Sequence, residues 1–291
     1  MTRIAVVGAG GLLGRHLCNY FSEMGVTHFR VGRRRSDIVD VVLDFGQDQE
    51  VFEGLDAIGA DIIVNLAAMT NVDACEASMQ QSFLANTAIP EALSRWCLNH
   101  DNAHLVQIST DHFYSHEGES IEADVTILNN YAITKYAGEL AALNCGGTVL
   151  RTNFFGKSLS SERQSFTDWI FKSALDEKPV DGYTDAFFSP IHMSSLCEAI
   201  LAVCHFPVAG VFNLGSSGGL SKGVFLKRAM STMGFSENLV TLKKTPVQST
   251  RASRPLDMRM NSKKFFANYP SLKQPHLETE ILKIQEEYSN V

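Results

Sequence analysis

The sequence predicts an α/β chain: a doubly wound parallel sheet with a small second α/β domain toward the C-terminus. Three observations predict it. Strand-like apolar runs alternate with helix-like runs through the first half, these runs lack strict in–out alternation, and a glycine cluster separates the first strand from the first helix. Continuous apolar strands suit a parallel sheet covered on both faces. Strand–helix alternation at this spacing builds such a sheet.

The elements follow in order. Ile4–Val7 is a strand closed by Gly8, and Leu12–Met24 has helical spacing. His28–Val31, Val39–Leu43 and Ile62–Leu66 read as strands. Ala77–Leu98 reads as a helix in which Pro90 marks a kink or break, because proline has no N–H to donate. Leu105–Ile108 is the next strand, Tyr131–Leu143 a helix and Thr148–Leu150 a strand. In the second half, Phe166–Leu175 and Ser194–Val203 read as helices, Val211–Leu214 as a strand and Gly215–Gly219 as a turn. From Ser221 the chain is helical, then basic and irregular.

The composition narrows the function classes. The 291 residues are 45% hydrophobic and 20% charged, with a formal net charge of -7. That is an ordinary globular make-up, and its acidic balance argues against a nucleic-acid partner. No apolar run reaches the ~18 residues of a membrane span. The N-terminal apolar run is too short and too soon broken by glycine for a signal peptide. Cys18, Cys75, Cys97, Cys145, Cys197 and Cys204 form no CxxC pair and no zinc spacing, so no metal site is expected. Scattered thiols in apolar segments fit a reducing compartment, so a cytoplasmic protein is expected. Locally the balance reverses: between Lys222 and Lys264 ten basic residues face two acidic ones. That stretch reads as solvated faces or as a wall that receives a diphosphate.

The glycine cluster is Gly8-Ala9-Gly10-Gly11-Leu12-Leu13-Gly14. Between a first strand and a helix it has the context of a dinucleotide fingerprint, so the sheet is of Rossmann type. Glycines let backbone approach a pyrophosphate, and the helix N-terminus offers free N–H groups. Gly8, Gly11, Leu12, Leu13 and Gly14 are therefore cofactor candidates. The second strand ends at Gly32-Arg33-Arg34-Arg35, where an acidic residue would bind a ribose 2′-OH. Arg33 and Arg34 suit a 2′-phosphate, so NADP(H) is preferred over NAD(H), which Asp37 keeps open. Asp44 and Phe45 would lie near the adenine in such a fold. The domain limits expected are 1–156 and 190–215 for dinucleotide binding, and 157–189 with 216–291 for a substrate domain closing over the strand ends.

A strand ending in Ser109-Thr110 precedes Tyr131 and Lys135, which share a helix face at i,i+4 spacing. A Lys⁺ favours the phenolate of a neighbouring tyrosine and tunes it toward proton transfer to a carbonyl oxygen. A hydroxyl such as that of Thr110 holds the same oxygen. The YxxxK spacing alone is weak. Its order after a glycine turn and a Ser-Thr strand end makes Thr110, Tyr131 and Lys135 the catalytic candidates, with Ser109 beside the cofactor.

These segments resemble the dTDP-4-dehydrorhamnose reductase family, a branch of the extended short-chain dehydrogenases. The likeness runs through Val64–Glu76 (VNLAAMTNVDACE), Ile108–Asp111, Tyr131–Glu139 (YAITKYAGE), Leu150–Thr152 and the Arg254–Asp257 region. The resemblance implies NADP(H)- or NAD(H)-dependent reduction of a 4-keto sugar on a nucleoside diphosphate, and the fold class suggests a homodimer. It implies that Leu66, Ala67 and Ala68 line the cofactor, that Asn86 stands on the cofactor side, and that Phe154 lies against sugar or base. Met69, Asn153 and Arg254, in or beside the matching segments, join Phe154 and His112 as substrate candidates.

Departures from the family pattern bear on the substrate. His112 follows Ser-Thr-Asp where the family has an aromatic residue. It reads either as a packed histidine with satisfied nitrogens or as a substrate hydrogen bond or proton relay. Related 4,6-dehydratases carry Glu there, a role histidine does not fill. Ala132 replaces a glycine after the tyrosine, and Phe188 is expected to add bulk near the pocket. An epimerase that returns its hydride, and a regulatory subunit like that of methionine adenosyltransferase, stand as alternatives.

Overall fold

The computed structural model describes residues 2–160, 162–246 and 252–289. They form two compact units: Met1–Thr110, Ile127–Arg151 and Cys197–Phe212, and Asp111–Thr126, Thr152–Leu196 and Asn213–Val291.

The first unit is built on a seven-stranded sheet. Its strands are β1 (Ile4–Val7), β2 (His28–Gly32), β3 (Val41–Val42), β4 (Ile62–Asn65), β5 (His104–Thr110), β6 (Thr148–Thr152) and β7 (Gly210–Leu214). Their spatial order is β7-β6-β5-β4-β1-β2-β3. The pairs from β3 to β5 are parallel, with Val7 opposite both Val31 and Asn65. The doubly wound fold expected from the sequence is therefore present. Strand order reverses between β1 and β4, the place where such sheets bind ligands beyond their carboxyl ends. All four residues of β1 and of β4 are buried, which is why neither strand alternates in sequence. One core cluster joins Val7, Val31, Ile63 and Leu105 to Leu55, Leu93 and Trp96 of the covering helices.

Those helices are α1 (Leu12–Glu23), α2 (Asp48–Ile58), α3 (Val72–Ala77), α4 (Met79–Phe83), α5 (Ile89–Leu98) and α6 (Asn130–Asn144). The single helix expected over 77–98 is broken twice. Ser78 leaves helical geometry at φ -142° and caps α4 through Gln81 N–H at 3.4 Å. A π-helical turn then spans Leu84–Ala88, just ahead of Pro90. Pro90 has no N–H for the carbonyl of Asn86, and a π-turn absorbs such a missing bond. The freed backbone meets α6 closely: a Cβ on Gly138 would lie 2.1 Å from that carbonyl oxygen.

The second unit has its own core. It holds a parallel strand pair, Val180–Tyr183 with Val240–Lys243. A second small sheet centres on Phe187–Phe188, flanked by Leu220–Ser221 and Asp257–Met258. Its helices are α7 (Phe166–Leu175), the first turn of α8 (Met193–His205), α9 (Lys222–Thr232), α10 (Lys263–Asn268) and α11 (Leu277–Tyr288). Phe155, Ile170, Phe188, Phe225, Met230, Ile281 and Ile284 share one cluster. The segment 111–126, expected within the dinucleotide-binding domain, is tied here. Ser120 N–H donates to Arg259 O at 2.9 Å, and Gly118 N–H to Asp257 Oδ2 at 2.8 Å.

Candidate active site

The glycine turn and the loop after β4 meet at the sheet's switch point. Gly8 has φ +86°, and a Cβ there would lie 2.8 Å from Ala67 N. Both the backbone angle and the space demand glycine. Gly11 opens α1 without a side-chain cap, and the first turn carries no acidic residue. Its first N–H groups are thus left for an anionic ligand. Leu13 and Gly14 are buried, and Leu12 is half-buried. The loop Leu66–Met69 is half-buried and held from below. Ala67 N–H donates to Asn65 Oδ1 at 3.1 Å, and Asn65 Nδ2 donates to Gln107 Oε1 at 2.8 Å.

Asn86, expected on the cofactor side, holds the loop after β4 in place. Its Oδ1 accepts Met69 N–H at 2.8 Å, while its Nδ2 donates to Met69 O at 3.1 Å and to Thr134 Oγ1 at 3.2 Å. The buried side chain clamps the loop after β4 to the helix that carries Tyr131 and Lys135. Its partners Ser82 and Thr134 carry no motif of their own, and only the packing identifies them.

At the end of β2, Arg33 and Arg34 are exposed. Asp40 is engaged by Arg30, with Nε–Oδ2 at 3.0 Å and Nη2–Oδ1 at 2.5 Å. Asp44 turns its Oδ1 onto Gly46 N–H at 2.9 Å, and the Phe45 ring is buried in the sheet core.

The three catalytic candidates all lie in the first unit and are buried. Asn129 caps α6 through Ala132 N–H at 2.8 Å, which puts Tyr131 in the first turn. Lys135 Nζ donates to Ile108 O at 2.7 Å, next to Ser109 and Thr110 at the end of β5. One bond therefore fixes the YxxxK helix against the Ser-Thr strand end. Burial pushes the Lys135 ammonium down to about 8, against the opposing charge of Glu139 one turn on. Ser109 Oγ is buried with no hydrogen-bond partner among the described residues. An orphaned hydroxyl, a glycine cradle and an uncapped helix end around one switch point suit a nicotinamide dinucleotide. Gly8, Gly11, Leu66–Ala68 and Ser109 would hold it.

The second unit carries a cavity of about 1090 Å³. One wall is aromatic, with Phe166 and Trp169 stacked at 5.7 Å and 14°. Lys222, Lys244 and Arg254 supply cations. The basic stretch thus divides between its two readings. Lys243 pairs with Asp181 at 2.6 Å and Arg259 with Asp257, while Lys222 and Arg254 face the cavity. Residues 247–251 of that stretch lie outside the described residues. Phe188, expected to add bulk near the pocket, is 3% exposed: it packs on Phe225 at 5.2 Å, with the ammonium of cavity-lining Lys222 5.9 Å over its ring. Asn153 Nδ2 donates to Asp111 Oδ2 at 2.7 Å, and Phe154 is half-buried in the next short strand. Phe166 and Trp169 are not among the residues singled out by motif, although two aromatic residues at i,i+3 on an expected helix are an available signal.

His112 stays neutral. Burial pushes its imidazole down to about 3, and the Lys222 and Arg254 charges act in the same direction. A neutral imidazole fits a packed histidine or a hydrogen bond to substrate better than a relay that titrates near neutrality. The unfolded chain takes up a proton near pH 6.5 that the folded chain refuses until about pH 3. The contribution to stability is full above 6.5 and is lost as pH falls toward 3. Denaturant titrations of the wild type and His112→Gln should diverge in that window, with the wild type losing more. Parallel curves would refute the assignment.

The first unit has the geometry of a dinucleotide-dependent oxidoreductase, a dinucleotide cradle beside a Tyr–Lys pair. Comparison with known proteins carries this further. The RmlD substrate binding domain family matches residues 1–289. A dTDP-4-dehydrorhamnose reductase of Escherichia coli is 29% identical over 78% of this chain and 79% of its own. A spore coat polysaccharide biosynthesis protein of Bacillus subtilis is 27% identical over 83% of each. A probable low-salt glycan biosynthesis reductase of Haloferax volcanii is 26% identical over 81% of each. A Bacillus anthracis dTDP-4-dehydrorhamnose reductase, solved with NADP, superposes with a TM-score of 0.87 at 22% identity, covering 99% of this chain and 100% of that one. The chain belongs to the RmlD substrate binding domain family, within the NAD(P)-dependent extended short-chain dehydrogenases/reductases.

Among the described residues, no group of three His, Cys, Asp or Glu could hold a metal ion, and no helix is long and apolar enough to cross a membrane.

Proposed function

We propose that the protein reduces a keto group on a nucleotide-activated sugar, with NADP(H) as the preferred reductant. The observation that carries the reading is the Lys135–Ile108 bond, which holds the helix of Tyr131 and Lys135 against the strand that ends in Ser109 and Thr110. Bound NADPH would supply the hydride. Tyr131 gives the proton to the carbonyl oxygen, Thr110 polarises that oxygen, and Lys135 tunes the phenol and holds the ribose. The cavity of the second unit supports a nucleotide handle. Stacked rings suit a base, and the cations Lys222 and Arg254 suit a diphosphate. Burial pushes the Lys222 ammonium down from its ordinary value, against the Asp111 charge, with Arg254 adding to the fall. An anionic ligand at Lys222 would relieve that cost.

The test is oxidation of NADPH and then NADH at 340 nm with a panel of nucleotide-linked 4-keto sugars. Turnover with one member supports the reading and names the substrate. Cofactor binding with no oxidation of any member would point instead to an epimerase or a regulatory subunit. The cofactor preference rests on Arg33 and Arg34. Replacing both by Ala should raise KM for NADPH about 10- to 100-fold, the worth of one or two charge-assisted hydrogen bonds, and leave NADH unchanged. Equal effects on both cofactors would refute the 2′-phosphate role.

A further inference from the structure

The aromatic wall of the cavity is held by the far end of the chain. Helix α7 opens with a capping box. Asp168 N–H donates to Ser165 Oγ at 3.0 Å, and Ser165 N–H to Asp168 Oδ2 at 2.8 Å. Such a box needs one carboxylate oxygen. Here the carboxylate also takes Ser158 N–H at 3.1 Å and the O–H of Tyr288, the last residue of α11, at 2.6 Å. The Tyr288 ring packs on Phe171 of α7 at 4.6 Å, with the Lys157 ammonium 5.2 Å above it. Its neighbour Glu287 accepts Lys157 N–H on its carboxylate and Lys157 Nζ on its carbonyl, each at 2.8 Å. The final turn of α11 thus ties down both Lys157, ahead of α7, and Asp168, in its first turn. The first turn of α7 holds Phe166 and Trp169, each 38% exposed and lining the cavity. Burial and the Asp168 charge push the Tyr288 phenol up, so it remains a donor at any ordinary pH.

We infer that Tyr288 is a positioning residue for substrate: its O–H bond to Asp168 sets the aromatic wall that receives the nucleotide. This rests on the reading of the cavity given above. A ring stacked on a wall that shifts by a fraction of an ångström loses contact area and alignment, whereas the Tyr–Lys pair, in the other unit, is untouched. The effect therefore belongs to substrate binding and not to the chemical step.

The test uses Tyr288→Phe, which keeps the ring and removes only the O–H. The chain has two tryptophans, Trp96 at 1% exposure and Trp169 at 38%. Subtracting the emission of Trp169→Phe isolates the cavity reporter. In the wild type, dTDP or UDP should quench Trp169 saturably. In Tyr288→Phe, the nucleotide Kd and the sugar-nucleotide KM should each rise several-fold, with about tenfold, the whole worth of one charge-assisted bond, as the ceiling, and kcat and KM for NADPH should be unchanged. Acrylamide should reach Trp169 more readily in the variant without any ligand. An unchanged Kd beside a lower Tm would overturn the positioning role, as would a fall in kcat together with a weaker hold on NADPH. If no nucleotide quenches the wild type, the reading of the cavity fails by itself. Equal acrylamide access in both proteins would overturn the hold of Tyr288 on the wall.

Discussion

Tyr131→Phe should lower kcat by about 10²- to 10⁴-fold, the usual worth of a placed general acid, with KM for NADPH and Tm near wild type. The ring is buried in the first turn of α6 and phenylalanine fills the same space, so the loss isolates the proton. Thr110→Ala should cost less, about 10²-fold or somewhat more, since it removes one polarising hydrogen bond. The pH dependence follows from Lys135. With its ammonium at about 8, reduction should decline as pH rises through 8, because the charge that tunes Tyr131 is leaving. Stability has the opposite slope. The unfolded lysine titrates near 10.4, so between about 8 and 10.4 the unfolded chain holds the extra proton and raising pH favours the fold. Activity falling while stability rises over one pH interval is a signature that general alkaline damage does not give. Full turnover by Tyr131→Phe would end the assignment.

Much of this was legible in the sequence where local chemistry dictates it. The glycine turn shows because only glycine fits a φ of +86° against Ala67, and the buried strands show because no residue in them alternates. The Tyr–Lys pair shows through its helical spacing. What stayed hidden depends on the approach of distant segments. The sequence betrays a break at Pro90, but the π-turn ahead of it and its close approach to Gly138 show only once α6 is in place. Asn86 reads as a cofactor-side residue by position, but its bonds to Met69 and Thr134 show only once the fold is built. Phe188 reads as pocket bulk, and only the fold shows it between Phe225 and cavity-lining Lys222. The cavity draws on segments from Phe166 to Leu256, and no local pattern announces such a set.

The second large effect is expected at the buried pair Glu139–Arg151. Arg151 Nη2 donates to Glu139 Oε2 at 2.7 Å and Nε to Oε1 at 2.9 Å, with both side chains at most 2% exposed. Arg151→Met strands a buried carboxylate, and Glu139→Gln strands a buried guanidinium. Each should cost about 3–5 kcal/mol of unfolding free energy, measured by denaturant titration. The double variant should recover most of that, since no unpaired charge remains. Glu139 also supplies the charge that opposes the fall in Lys135. The two single variants, alike in stability, should therefore part in their pH profiles. Glu139→Gln removes the supporting charge, so the alkaline limb of reduction moves below pH 8. Arg151→Met leaves that charge in place and frees it of its partner, so the limb holds its position or moves up. If both variants shift the limb the same way, the fold and not the Glu139 charge sets Lys135, and the pair serves stability alone.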